Sequence, residues 1–351
     1  MASVLLALAI GAGGGLLFNL LTIPLPWMTG AMCATTAAAM LGLPIRAWMP
    51  LRTVMVGVLG IMLGSAFTPD TLGRATAWWG SLIPLLLYSL GIAVVIFALL
   101  RRLAGFGPVT AYFSAAPGGL SEMIVVGSAM GGDDRTISLM HTVRIMVTVL
   151  LIPLYFRLFE GFVPTGMSRM GRVEDIAGLD ALLLVACALV GYPLARRLRI
   201  PAAAMVGPMV VSAGLHLAGA TAARPPGEIV ALAQVVLGAT IGCRFVDVPL
   251  KRVFGILMLG AGTTLIMLVI AFACAQAVQA VTGLPFTHVL LAFSPGGLPE
   301  MSLISLAMNA DPAFVATHHL VRIVFVIMVF PSLFRLFAGR AGGGDGTSEK
   351  L

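Results

Sequence analysis

Apolar residues in this chain come in helix-length runs, and short polar connections between the runs hold most of the charge. Six runs fall in the first half: Ser3–Leu21, Trp27–Leu43, Leu51–Phe67, Trp78–Leu100, Val109–Met130 and Ile137–Phe159. Six more follow: Ala177–Leu194, Ala202–Leu217, Ile229–Phe245, Phe254–Val281, Thr287–Met308 and Phe314–Phe337. A bilayer interior about 30 Å thick needs roughly 20 helical residues to cross it, so the pattern predicts membrane-spanning helices and not strands. Pro24, Pro26, Pro50 and Pro201 stand where helices should start or stop. Two runs carry a flaw at their middle: Ala116-Pro117-Gly118-Gly119-Leu120-Ser121-Glu122-Met123 and Ser294-Pro295-Gly296-Gly297-Leu298-Pro299-Glu300-Met301. The proline ring blocks the bond to the preceding turn and the glycines remove any bias to continue, so each run should break into two half-helices. Backbone groups freed at bilayer depth must be met by protein or by a water-filled cavity.

Composition agrees with this pattern. Hydrophobic residues make up 59% and charged residues 10% of the chain, with a mean hydropathy of +1.05. A soluble surface needs about 25% charge. The net charge of +7 is spread over the connections between runs, which is how orientation in a bilayer is set, and is not gathered into a nucleic-acid footprint. Cys33, Cys187, Cys243 and Cys274 lie in or at the edge of apolar runs without metal-ligand spacing. The amino terminus lacks a basic n-region, so an uncleaved first span is expected.

The chain is duplicated. Shifted by 178, Pro117–Gly161 matches Pro295–Gly339 without a gap, with 19 of 45 positions identical, including Asp133/Asp311, Pro153/Pro331 and the run Phe156–Phe159. Fainter pairs precede it: Ile23-Pro24 with Ile200-Pro201 at an offset of 177, and Gly60, Gly64 and Phe67 with Gly238, Gly242 and Phe245. The expected organisation is a first repeat at 1–161, a polar linker at 162–178, a second repeat at 179–340 and a disordered tail at 341–351.

Basic residues decide how the broken runs sit. Arg46, Arg52, Arg101 and Arg102 follow the second and fourth runs of the first half; Arg196, Arg197, Arg199, Lys251 and Arg252 follow the first and third of the second. Six crossings per half would place Arg196–Arg199 outside, against the positive-inside rule. If each broken run enters and leaves on one side, each half has five crossings and the halves are inverted. Arg74, Arg157, Arg169, Arg172 and Arg224 remain exceptions. The expected fold is an all-α polytopic membrane protein of two inverted repeats, with about ten transmembrane helices plus two re-entrant helices broken at Pro-Gly-Gly.

Inverted halves with paired discontinuous helices are the plan of secondary transporters, whose sites lie where the breaks meet. The half-helices starting at Leu120 and Leu298 would offer free amides to an anion. Candidate binding residues are therefore Pro117, Gly118, Gly119 and Glu122 with Pro295, Gly296, Gly297 and Glu300, joined by His141 and Arg144 with His319 and Arg322. Each His–Arg pair is spaced i, i+3 and shares one helix face. Glu122 and Glu300 could simply cap their own helices, and each Arg could neutralise a Glu in a buried salt bridge. Alternatively the Arg side chains clamp an anion, with His or Glu carrying a coupled proton. Asp133 and Asp311 read as N-caps, His216 and His288 as structural, and His318, opposite Met140, has no assigned role. No His-Glu-x-x-His, Gly-x-Ser-x-Gly or phosphate-binding loop occurs. Neither an enzyme nor a metal, cofactor or ATP requirement is expected.

The doubled Pro-Gly-Gly-Leu-x-Glu-Met followed by His-x-x-Arg resembles the AbrB family of bacterial membrane proteins over essentially the whole chain. The resemblance implies a multi-pass protein of the bacterial inner membrane. The family's inherited labels are an ammonia monooxygenase, which lacks residue support here, and a regulator of gene expression. The expected function is secondary transport of a small, anionic metabolite such as an organic acid. The alternative is a membrane-embedded ligand sensor acting indirectly on gene expression, without direct nucleic-acid contact. The expected partners are the lipid bilayer and that ligand; the oligomeric state is left open.

Overall fold

The computed structural model describes residues 1–161 and 171–342. Residues 162–170, most of the expected linker and including Arg169, and 343–351, most of the expected tail, lie outside the described residues. Among the described residues every regular element is helical. The first half comprises α1 (Ala2–Leu20), α2 (Pro26–Met40), α3 (Met49–Gly64), α4 (Pro69–Arg74), α5 (Trp79–Leu103), α6 (Pro108–Ala115), α7 (Leu120–Ala129) and α8 (Asp134–Phe159). The second comprises α9 (Gly178–Arg197), α10 (Ala203–Leu217), α11 (Gly227–Gly242), α12 (Leu250–Thr282), α13 (Phe286–Phe293), α14 (Leu298–Ala307) and α15 (Pro312–Gly342). The expected runs map onto these helices with small shifts at their ends. Two differences are larger. The six-residue α4, with Asp70 in its first turn and Arg74 in its last, has no apolar run to announce it. Helix α15 continues through Ala341 and Gly342, where the tail was expected to begin.

Among the described residues seven helices are long and apolar enough to cross a membrane: those within Ala2–Leu20, Ala75–Leu103, Asp134–Phe159, Gly178–Arg197, Gly227–Phe245, Leu250–Thr282 and Pro312–Leu336. Helices α2, α3 and α10 have 15, 16 and 15 residues, about 22–24 Å at 1.5 Å per residue. Large apolar side chains such as Leu5, Leu17, Val94, Leu182 and Met258 point outward, while Ala7, Gly11 and Gly15 of α1 point in. On α1 the small residues face in and the large ones out, which suits helices that pack by close backbone approach within lipid.

That close approach is built twice. Helix α1 meets α2 where a Cβ on Gly14 would strike the Gly30 carbonyl, and α9 meets α10 where one on Gly191 would strike the Gly207 carbonyl. Corresponding elements then cross between halves: Gly60 of α3 rests on the Met205 carbonyl of α10, and Gly238 of α11 rests on the Met28 carbonyl of α2. The turns entering α2 and α10 also correspond. Thr22 and Leu25 have φ of 52° and 51°, and Arg199 and Ala202 have 55° and 52°. Left-handed geometry costs a non-glycine residue roughly 1–2 kcal/mol, yet it occurs at matching places in both halves. Helices α5, α8, α12 and α15 form the remaining group, and the broken segments α6–α7 and α13–α14 pack into it.

Candidate functional site

Both Pro-Gly-Gly sequences interrupt their helices as the backbone chemistry requires. Helix α6 stops at Ala115, and α7 starts at Leu120 behind Gly119; α13 stops at Phe293, and α14 starts at Leu298 behind Gly297. Each break leaves carbonyls without partners at the end of the first half-helix and amides without intrahelical partners at the start of the second.

The carbonyl ends are satisfied from the next long helix. His141 of α8 donates from Nε2 to the Phe113 carbonyl at 2.8 Å, and Arg144 donates from Nη1 to the Ala116 carbonyl at 2.5 Å. Arg144 also donates from Nη2 to His141 Nδ1 at 2.7 Å. The second half repeats this arrangement. His319 Nε2 donates to the Leu291 carbonyl at 3.0 Å, Arg322 Nη1 to Ser294 at 2.7 Å, and Arg322 Nη2 to His319 Nδ1 at 2.9 Å. Arg322 Nη2 further reaches the Gly296 carbonyl at 3.0 Å. A guanidinium has donors only and a carbonyl has acceptors only, so each imidazole is held in its neutral tautomer with hydrogen on Nε2. The partners of Arg144 and Arg322 are thus backbone carbonyls and histidines. No salt bridge between Glu122 or Glu300 and Arg144 or Arg322, as considered from sequence, forms; an ion pair is found instead at Arg252–Asp133, at 2.5 Å.

Both guanidinium groups are buried, Arg144 at 5% and Arg322 at 1% exposure, and in each the Nε–H has no hydrogen-bond partner among the described residues. Arg322 Nε lies 3.7 Å from where a Cβ on Gly118 would stand, so the arginine of the second half sits against the break of the first. A cavity of about 260 Å³ opens here, walled by both glycine pairs, Glu122, Glu300, Arg144 and Arg322. Pro117, Pro295, His141 and His319 are buried behind that wall.

The two breaks differ despite their shared sequence. Gly119 is left-handed, with φ +63° and ψ +43°, whereas Gly297 is extended, with φ −80° and ψ +156°. Glu300 is buried at 5% exposure. Its carboxylate lies over Gly297, filling the space a Cβ there would need. Glu122 is half-buried, and its carboxylate stays 3.8 Å from the corresponding point on Gly119.

Two further arginines complete the wall: Arg52, in the first turn of α3, and Arg244, in the 3-10 turn Cys243–Phe245 after α11. Arg244 is tethered to α8 by the hydroxyls of Ser138 at 3.2 Å and Thr142 at 3.4 Å. Sequence reasoning passed over both arginines as cavity residues, because a charge at the end of an apolar run looks the same whether it faces water or a cavity. The available signal was that both lie inside expected spans, Leu51–Phe67 and Ile229–Phe245, and that their counterparts at an offset of 178 are Val230 and Ala66. His318, which has no counterpart in the first half, accepts from Ser81 Oγ at 2.8 Å and donates to the Phe314 carbonyl at 2.8 Å, tying α15 to α5. Asp133 caps α8 as expected, accepting from the Thr136 amide at 3.1 Å. Asp311 accepts from the amides of Ala313 and Phe314 at the start of α15.

Chemically the cavity presents guanidinium N–H donors and the positive ends of two short helices, moderated by two carboxylates. Such a wall can hold a small anion. A family model described as transition state regulatory protein AbrB matches residues 27–338. Similar chains include the uncharacterized protein YhjN of Bacillus subtilis (strain 168), 27% identical over 94% of this chain and 91% of its own. Another, from Escherichia coli (strain K12) and provisionally named regulator AbrB, is 23% identical over 90% of this chain and 91% of its own. The matched span takes in both breaks, both His–Arg pairs and the two added arginines, and the chain belongs to the AbrB family.

Proposed function

We propose that this protein is a secondary transporter for a small anion, lying in the bacterial inner membrane with its site where the two Pro-Gly-Gly breaks converge. The observation that carries this reading is the cavity itself: both breaks and two buried arginines with unpartnered Nε–H groups share one wall. An isolated charge in an apolar interior is costly, which favours an anion as its missing partner. In this reading the halves are inverted repeats, with ten crossings and two re-entrant segments. The matching left-handed turns and the exchange of α3 and α11 between halves support a two-fold relation. The unlike conformations at Gly119 and Gly297 suit one stage of an alternating cycle, with the break at Glu122 open and the break at Glu300 closed. The histidines fix the breaks with both ring nitrogens engaged, which leaves a coupled proton to Glu122 or Glu300.

A second reading, a ligand sensor at the same site, draws on the regulator name carried by the Escherichia coli relative. Uptake of labelled organic acids into liposomes separates the two. Wild-type protein should show saturable flux that Glu122→Gln and Arg322→Ala reduce at least tenfold. Flux insensitive to both substitutions would remove these residues from the mechanism, and ligand binding without flux would favour the sensor.

A further inference from the structure

Resting on that reading of the site, we propose that the ligand is a small dicarboxylate, bound by two cationic pairs of different origin. The first pair, Arg144 and Arg322, is supplied by the repeat and is fixed against the breaks. The second, Arg52 and Arg244, has no counterpart in the repeat. Among the described residues neither Arg52 nor Arg244 forms an ion pair, and the tethers of Arg244 are neutral hydroxyls.

The charges count in favour of two negative groups. Four guanidinium groups face the cavity against the two carboxylates of Glu122 and Glu300. Two positive charges remain in excess when both acids are ionised, and more if either is protonated. A monoanion would leave one positive charge uncompensated in a cavity where Arg144 and Arg322 are buried and Arg52 and Arg244 half-buried, and partial loss of water makes that unfavourable.

The geometry favours a ligand with two ends over a compact dianion. Successive residues of a helix turn by about 100°. Arg144 therefore stands about 120° around α8 from Ser138 and about 160° from Thr142, the two hydroxyls that hold Arg244. The two cationic pairs approach the cavity from different directions. A volume of about 260 Å³ corresponds to roughly nine waters at ~30 Å³ each, more than a tetrahedral oxyanion fills and enough for a short carbon chain with a carboxylate at each end.

Purified protein in phosphatidylcholine nanodiscs, titrated with malonate, succinate and glutarate against butyrate and sulfate, tests this without requiring transport. At least one dicarboxylate should bind about tenfold or more tighter than butyrate and than sulfate, as expected for one extra charge-assisted contact. Arg244→Gln and, separately, Arg52→Gln should weaken the dicarboxylate about tenfold while changing butyrate less than about twofold. Equal binding of mono- and dicarboxylates by the wild-type protein would overturn the proposal, as would a preference for sulfate. So would variants that retain wild-type selectivity. Parallel liposome flux keeps the two readings apart. Dicarboxylate binding without flux removes transport alone, and flux of a monoacid with no dicarboxylate preference removes the present proposal alone.

Discussion

Replacing Arg322 with methionine keeps most of the side chain's length and volume but deletes every donor. Three close acceptors lose their partner, the carbonyls of Ser294 and Gly296 and Nδ1 of His319, along with a longer contact to the Phe293 carbonyl at 3.4 Å. A stranded buried acceptor costs about 1–3 kcal/mol, so the three together would reach about 3–9 kcal/mol without relaxation. Hydrogen bonds between membrane helices average nearer 0.6 kcal/mol in double-mutant cycles, which sets a floor of about 2 kcal/mol. Release of a desolvated guanidinium offsets part of the loss, and the expected net destabilisation is about 2–5 kcal/mol. Arg144→Met strands only the Ala116 carbonyl and His141 Nδ1 and should cost less. Arg322→Lys should fall between wild type and Arg322→Met, since an ammonium can satisfy one acceptor but cannot span all three. Reversible unfolding in mixed micelles, followed by tryptophan fluorescence, measures all three. An Arg322→Met protein within 1 kcal/mol of wild type would mean that the break is not held by this side chain. The same conclusion would follow if Arg144→Met proved the more damaging.

Other expectations follow from the same geometry. A water-soluble carbodiimide should modify Glu122 and spare Glu300, and Gly297→Ala, whose Cβ would displace the Glu300 carboxylate, should raise labelling at Glu300; equal labelling of both acids in the wild-type protein would contradict the asymmetry of the breaks. Gly30→Leu, which drives a side chain into the Gly14 backbone, should destabilise by about 1–3 kcal/mol, whereas Gly262→Leu, where no neighbour stands in the way, should change stability little. Burial pushes the Asp133 carboxyl up, but hydrogen bonds from Thr136 and the Arg252 guanidinium outweigh it and hold the group below its ordinary value. Its contribution is therefore complete above the unfolded carboxylate value of about 3.9 and is lost as pH falls through the folded value. Because the pair is 42% and 44% exposed, Asp133→Ala should cost only about 1 kcal/mol at pH 7, chiefly as a lost N-cap, and its unfolding midpoint should converge on wild type in acid; a gap that widens below pH 4 would refute the assignment.

The breaks were legible in the sequence because they are a local matter: a proline ring and two residues without Cβ interrupt a helix wherever they occur. The shared face of His141 and Arg144 was legible from spacing alone. Their acceptors were not, since the carbonyls of Phe113 and Ala116 lie 28 residues away and are met only once α8 packs beside α6. Salt bridges to Glu122 and Glu300 were the natural guess from charge, yet the orphaned carbonyls compete for the same donors. Gly119 and Gly297 stand in the same Pro-Gly-Gly-Leu sequence and adopt different dihedral angles, so no local rule could assign them. Arg52 and Arg244 sit near the ends of apolar runs like the orienting charges elsewhere, and only the placement of α3 and α11 turns them inward. The short α4 carries too few apolar residues to register against the long runs around it.

Because Gly60 of α3 rests on α10 and Gly238 of α11 rests on α2, neither half encloses its own interior. A polypeptide ending at Gly161 would expose the seams of α2 and α3 to lipid or to another copy of itself. Those seams close only against α10 and α11, so the two parts of the chain are interlocked. Halves synthesised separately should therefore copurify, and a first half that remained monomeric and folded alone would contradict this interlocking.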